Sequence, residues 1–264
     1  MKSSWVIKLN RANELIVELK REIEDRFQST PPKVIFSKIE EPDIYSVIIS
    51  ELPKIEDRWS AIAGDVVHNL RSSLDSIIFS IITKRAIQSG RRINLHQIEY
   101  PITGDPNAVR NRTDWHQSEG TEELFQVIEG HLPNYEGLEL SRERINLAIK
   151  NHSLIVLQRL SNNDKHHSTN VIMCALDYSG YELPEGVRVE LINSKAGNVL
   201  VGDEIMQARI TGVSDTKQPI PFTQFEIAFE GDIWEDGTHG VVARLEALSS
   251  LVQWNIQELV HFLD

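Results

Sequence analysis

The sequence predicts an α+β protein, a bundle of four main helices with an antiparallel sheet drawn mainly from residues 168–230. Three observations lead there. Long stretches near both ends and in the middle repeat apolar residues at steps of three and four. After residue 168 the chain breaks into short β-branched runs separated by Gly and Pro turns. With 264 residues, 41% hydrophobic and 25% charged, the composition is ordinary for a globular protein and excludes the disordered and fibrous classes. No linker-like stretch divides it, so one domain over 1–264 is expected.

The elements follow in order. Val6, Leu9, Ala12, Ile16, Leu19, Ile23 and Phe27 mark an amphipathic helix over 4–27, stopped by Ser-Thr-Pro-Pro at 29–32. KVIFSKIE and DIYSVIISE, joined at Glu41-Pro42, read as a hairpin. Pro53 opens a second helix over 55–86. Residues 88–143 are irregular apart from one short helix near 122–128, and a segment that long is often a functional lid or insertion. A third long helix covers 142–162 and ends in the polar string 161–167. Four or five mostly antiparallel strands follow, and a last helix covers 240–263. There Leu245, Leu248, Val252, Leu259 and Phe262 keep the 3–4 spacing, with Asn255 at the missing position. That Asn can fix register in a dimer seam, but about two and a half heptads is short for a coiled coil, so core packing is expected.

Charge narrows the partners. The net charge is −12, and residues 168–264 hold 15 of the 39 acidic but only 5 of the 27 basic side chains. Such a field repels a polyanion and argues against non-specific DNA coating, while the neutral middle third leaves room for a local basic pocket. The lone Cys174 cannot form an internal disulfide, which suits a reducing compartment. Lys8, Asn10 and Arg11 break the first apolar run too early for a signal peptide, and no stretch reaches the ~20 apolar residues that cross a bilayer. Cytoplasmic residence without membrane attachment is the expectation.

The chemistry concentrates on helix 55–86. At 100° per residue, Trp59, Ile62, Val66, Leu70, Leu74, Ile77 and Ile81 share one face. Opposite them Asp65, His68, Arg71, Ser72 and Asp75 form a stripe, with Asn69 at its edge. A solvated helix face is the ordinary explanation, but such faces usually carry Lys and Glu. His, Arg and Asp together can move a proton, hold an anion and orient an imidazole. The second element is Asn163-Asp164-Lys165-His166-His167. Cations at a helix C-terminus offset the negative end of the dipole, which suffices as a structural reason. The functional expectation is that Asp164, Lys165 and His166 face the His68 stripe across one polar cleft. His152 and Arg159 lie earlier on that helix.

The string Gly64-Asp65-Val66-Val67-His68-Asn69-Leu70-Arg71-Ser72-Ser73-Leu74-Asp75, then Tyr100-Pro101-Ile102, then Asp164-Lys165-His166-His167, resembles a family of bacterial and phage proteins of uncharacterised activity. Its members carry a G-D-x-x-H-N-L-R-x-x-L-D helix, a Y-P-[IL] element and a D-K-H-[RH] segment in that order. Here His167 stands where arginine is frequent. The resemblance locates a site without naming a reaction, and it implies a setting in phage–host conflict. A looser similarity is to the HEPN superfamily of helical ribonucleases and nucleotide binders, which use an Arg, four to six residues, then His, usually across a dimer. Arg159 and His166 have that spacing, although Leu160 follows the arginine where a polar residue is usual. The similarity implies that Arg159 binds phosphate and that His166 assists 2′-hydroxyl attack or leaving-group protonation.

Other chemistries fit less well. One cysteine excludes a cysteine zinc site, and His68, His166 and His167 with Asp75 or Asp164 match no H-E-x-x-H or Glu-x-x-His pattern, so neither metal nor cofactor is expected. P-loop, G-x-G-x-x-G and G-x-S-x-G strings do not occur. The expected function is a phosphate-handling site for RNA or a nucleotide, with His68, Arg71, Asp164 and His166 catalytic. Asp65, Asn69, Asp75, Arg159 and Lys165 would bind the substrate. The rival is a non-catalytic, homodimeric interaction protein in which these residues form a structural polar network.

Overall fold

The computed structural model describes residues 3–39, 41, 43–90, 92, 98–105, 109, 121–133, 141, 148, 152–166, 171–175, 180–182, 185–195, 197–212, 220–222, 224–230 and 240–263. Its main helices are α1 (Ser4–Ser29), α2 (Asp57–Ser89), α3 (Glu122–Gly130), α4 (Ser153–His166) and α5 (Val241–Val260), the last followed by a 3-10 turn at His261–Leu263. The strands are β1 (Lys33–Lys38), β2 (Ile44–Glu51), β3 (Val171–Ala175), β4 (Gly180–Glu182), β5 (Arg188–Ser194), β6 (Gly197–Asn198), β7 (Glu204–Thr211), β8 (Ile220–Phe222) and β9 (Phe225–Phe229). The α+β class is therefore as the sequence predicts. The chain divides into two compact units, one of Met1–Val17, Ala61–Thr169 and Leu245–Asp264, the other of Glu18–Ser60 and Asn170–Arg244.

The first unit is helical, and α2 supplies its core. Ile62, Val66, Leu70, Leu74, Ile77 and Ile81 are fully or almost fully buried, and so are Ala63, Val67, Ile78 and Ile82 beside them. The apolar arc is thus wider than one stripe, and each such side chain contributes roughly 1.5–3 kcal/mol by leaving water. On α1, Leu9, Ala12 and Ile16 are buried, as the 3–4 spacing predicts, and Leu15 beside them is buried as well. Lys8 Nζ on α1 donates to Ser76 Oγ at 2.8 Å and to the Ser72 carbonyl at 3.4 Å on α2. Ser249 Oγ on α5 donates to Asn13 Oδ1 at 2.6 Å. Lys84 Nζ donates to the Leu263 carbonyl at 2.6 Å, and the Arg85 guanidinium lies over the Phe262 ring at 5.3 Å. Asn255 is fully buried with neither amide atom hydrogen-bonded, so the polar break in the α5 pattern faces the core.

The second unit holds the described strands. The hairpin of β1 and β2 joins the sheet from the C-terminal half of the chain, giving the order β1-β2-β7-β5, antiparallel throughout. β6-β3-β9 and β4-β8 form two smaller sheets. The expectation of one sheet mainly from 168–230 is refined accordingly: alternation in a strand identifies its buried face, but not the neighbour it pairs with. Asp43, at φ 61, makes the tight turn before β2 in the left-handed region that Asp tolerates. Gly212, at φ 82, closes β7 where an added Cβ would lie 2.4 Å from the Gly186 carbonyl oxygen. Arg58 at the start of α2 pairs with Glu18 and, at 3.0 Å, with Glu22 on α1, while Arg26 Nη2 meets Glu56 Oε1 at 2.5 Å.

Candidate functional site

The polar stripe of α2 divides by environment. With His68 as zero on the helical wheel, Asp65 lies near +60°, Ser72 near +40°, Asp75 near −20° and Arg71 near −60°. Asp65 and His68 are exposed, and Ser72, Asp75 and Asn69 are half-buried. Arg71 is only 5% exposed, which corrects the expectation that it shares the solvent face. The reason is residues 98–103, which fold over that edge of the helix.

Arg71 Nη2 donates to the Tyr100 carbonyl at 2.8 Å and lies 3.1 Å from Asp75 Oδ1 and 3.3 Å from Glu99 Oε2. Asp75 Oδ1 in turn accepts from the Tyr100 backbone N–H at 2.9 Å. An Arg–Asp pair one helical turn apart thus satisfies both backbone groups of Tyr100, which would otherwise need partners away from water. Tyr100 is fully buried, and its hydroxyl lies 2.7 Å from His131 Nδ1. Burial pushes the phenol far above its ordinary pKa, with Arg71 pulling the other way. Burial also lowers the imidazole of His131 to a pKa of about 4. The neutral pair shares one hydrogen bond, either from the phenol to Nδ1 with the imidazole hydrogen on Nε2, or from Nδ1–H to the phenol oxygen. His131 follows α3 directly and meets the Trp254 ring edge-on at 5.1 Å. Sequence reasoning missed His131, because nothing in Gly-His-Leu-Pro marks it as the partner of a tyrosine 31 residues earlier.

At the other end of the stripe the helices meet at a glycine. A Cβ built on Gly64 would lie 2.2 Å from Asp164 Oδ1 and 3.0 Å from Asp164 Cγ. The Asp164 carboxylate therefore occupies the space that any larger residue at 64 would fill. Glycine costs a helix interior about 1 kcal/mol relative to alanine, so close approach is the physical reason for it here. His68 lies one turn beyond Gly64, about 6 Å along the axis. α4 runs through His166, so Asp164, Lys165 and His166 belong to its last turn instead of following its end.

The individual side chains are placed as follows. Asn69 Nδ2 donates to the Asp65 carbonyl at 2.8 Å, a bond within the helix. His68 Nε2 stands 3.5 Å from Ser72 Oγ, a long contact that leaves the ring accessible. Arg159 is half-buried on α4. His152 precedes α4, where its Nδ1 accepts from the Leu154 N–H at 3.4 Å and burial lowers its pKa. The side chains of Lys165 and His166, and all of His167, lie outside the described residues. Among the described residues no group of three or more His, Cys, Asp or Glu could hold a metal ion, and no helix is long and apolar enough to cross a membrane. Comparison of the chain with protein-family models, with curated proteins and with solved structures gives no match.

Proposed function

We propose that the exposed half of the α2 stripe and the last turn of α4 together form a phosphate-handling site for RNA or a nucleotide. The supporting observation is the seat of Asp164 on Gly64, which puts Asp164-Lys165-His166 and His68 on neighbouring turns of two packed helices. In this reading His68 and His166 divide acid–base work. One imidazole takes the 2′-hydroxyl proton as that oxygen attacks phosphorus, and the other protonates the departing 5′-oxygen. Arg159 and Lys165 neutralise the phosphate oxygens, while Asp65 and Asp164 orient the imidazoles and Asn69 holds the Asp65 turn. Arg71 and Asp75 act indirectly in this scheme, since their described bonds go to Glu99 and Tyr100.

One observation favours the rival reading of a non-catalytic homodimer with a structural polar network. Arg71, Asp75, Tyr100 and His131 form a connected, mostly buried chain of hydrogen bonds, as a structural network would. A thermal-shift screen of wild type and His68→Ala against nucleotides, short RNAs and divalent metals separates the two. Stabilisation by a nucleotide or RNA that disappears in the variant supports the phosphate site. No shift with any ligand abandons it in favour of the network.

A further inference from the structure

The sheet β1-β2-β7-β5 ends in two edges, and they are built differently. β1 carries a lysine at each end and no acid, the usual guard against a further strand. β5 begins Arg-Val-Glu-Leu, and all its residues except half-buried Val189 are exposed. No strand among the described residues pairs with its outer side. The direction of its free backbone groups follows from the register. Ile210 N–H donates to the Asp43 carbonyl at 2.7 Å, so Ile210 and Ala208 turn their backbone toward β2. Arg209 and Thr211 alternate with them and turn toward β5, where they face Glu190 and Arg188. Val189 and Leu191 therefore point their N–H and C=O groups away from the sheet. Val187 continues the alternation, since its side chain packs in one cluster with Val189, Ala208 and Ile210.

Residues 187–191, Val-Arg-Val-Glu-Leu, are complementary to themselves when run antiparallel. A two-fold axis at Val189 sets it opposite the partner's Val189, and sets Val187 opposite the partner's Leu191. These are the outward-pointing residues, so the facing pairs exchange N–H···O=C bonds across the seam. The same axis sets Arg188 opposite the partner's Glu190, once on each side, at the closer positions between the bonded pairs. Arg188 is exposed and makes no hydrogen bond or ion pair among the described residues. Glu190 meets Arg209 Nη1 through Oε2 at 3.0 Å, and its side chain is 70% exposed, so Oε1 stays open to a second guanidinium. Leu191, 52% exposed at the margin of the apolar cluster, gains cover from the partner's Val187. The bulge between Leu191 and Asn193 ends the regular stretch just beyond. We propose that β5 pairs with β5 of a second copy of this chain, joining the two sheets into one continuous antiparallel sheet. The pairing does not rest on the phosphate-handling reading.

So short a ladder makes an interface below the roughly 1,200 Å² of standard complexes, and a Kd in the micromolar range is expected. Sedimentation equilibrium from low to high micromolar concentration should show a reversible monomer–dimer equilibrium. Arg188→Glu alone, or Glu190→Arg alone, sets like charges opposite each other at both crossings and should weaken self-association about tenfold. Both positions are exposed, so each variant should keep the denaturation midpoint of wild type at low concentration. Mixed together, the two variants regain opposite charges at both crossings, and the mixture should associate about as tightly as wild type. A wild type that stays monomeric overturns the pairing, even if the edge captures a foreign extended peptide. A dimer that neither substitution weakens overturns it as well, and so does a mixture of folded variants that associates no better than its components.

Discussion

Within three turns of α2 the protein holds polar side chains in two opposite conditions. Arg71 and Asp75 spend their hydrogen bonds on the backbone of Tyr100, and Arg71 has almost no contact with water. Asp65 and His68, one turn earlier, are exposed, and the best described partner of His68 is a hydroxyl at 3.5 Å. Both pairs use residue types that serve catalysis, so chemistry alone does not separate them. What separates them is whether another segment folds across the helix edge they occupy. A polar residue covered by backbone becomes part of the fold, while one left open stays available to a ligand. Substitutions at the two ends probe that contrast, and the covered end should respond most.

Arg71→Ala should have the largest effect. It leaves the Tyr100 carbonyl and the Asp75 carboxylate without their cation and empties a buried site, a loss of about 3 kcal/mol by analogy with breaking buried pairs. Chemical denaturation of the variant measures it, and a loss below about 1 kcal/mol would show that the clamp is not what holds residues 98–103.

The second test uses the other end of the same network. The pKa of His131 falls from the ordinary imidazole value of 6.5 to about 4 in the fold, so the unfolded chain binds a proton between these values that the native state refuses. Stability from this group is therefore complete above about pH 6.5 and is lost as pH falls toward 4, by at most about 3 kcal/mol. Denaturation midpoints measured from pH 7 to pH 4.5 should decline in wild type more steeply than in His131→Asn. Parallel curves would place the histidine in water. Half-buried His152, whose pKa is lowered as well, adds to both curves alike and cancels in the comparison.

How much of this the sequence revealed depends on the range of the interaction. The buried face of α2, the β1–β2 hairpin and the α5 core positions are legible because each rests on a period of 3.6 or 2 within one segment. The juxtaposition of Gly64 and Asp164 could be anticipated only through the motif strings that include them, since 100 residues separate the two. Arg71 looked solvent-facing because its cover comes from residues 98–103, a segment without periodicity. The Tyr100–His131 bond and the Lys8 anchor on Ser76 were illegible for the same reason, each pairing residues on different segments. Lys8 stood out in the sequence only as an interruption in an apolar run.

A smaller effect is expected where the open end begins. Gly64→Ala should not yield the usual helix gain of about 1 kcal/mol, because the new methyl group displaces the Asp164 carboxylate. In an Asp164→Ala background the same change should stabilise by about 0.5–1 kcal/mol. A double-mutant cycle reads the difference directly. Additivity of the two changes would mean that the carboxylate swings away at no cost and that Gly64 is not its seat.

The smallest effect belongs to His68. Its ring is exposed and makes one long contact among the described residues, so His68→Ala should change stability by no more than about 0.5 kcal/mol. This near-silence matters as much as the large loss at Arg71. Two residues three positions apart on one helix would differ in stability cost by several-fold, although both have side chains suited to catalysis. If His68→Ala instead costs about 2 kcal/mol or more, the open end of the stripe is structural too, and any ligand effect of the variant would have to be read as damage to the fold. If the cost is small, a lost ligand response in the same variant belongs to the imidazole itself.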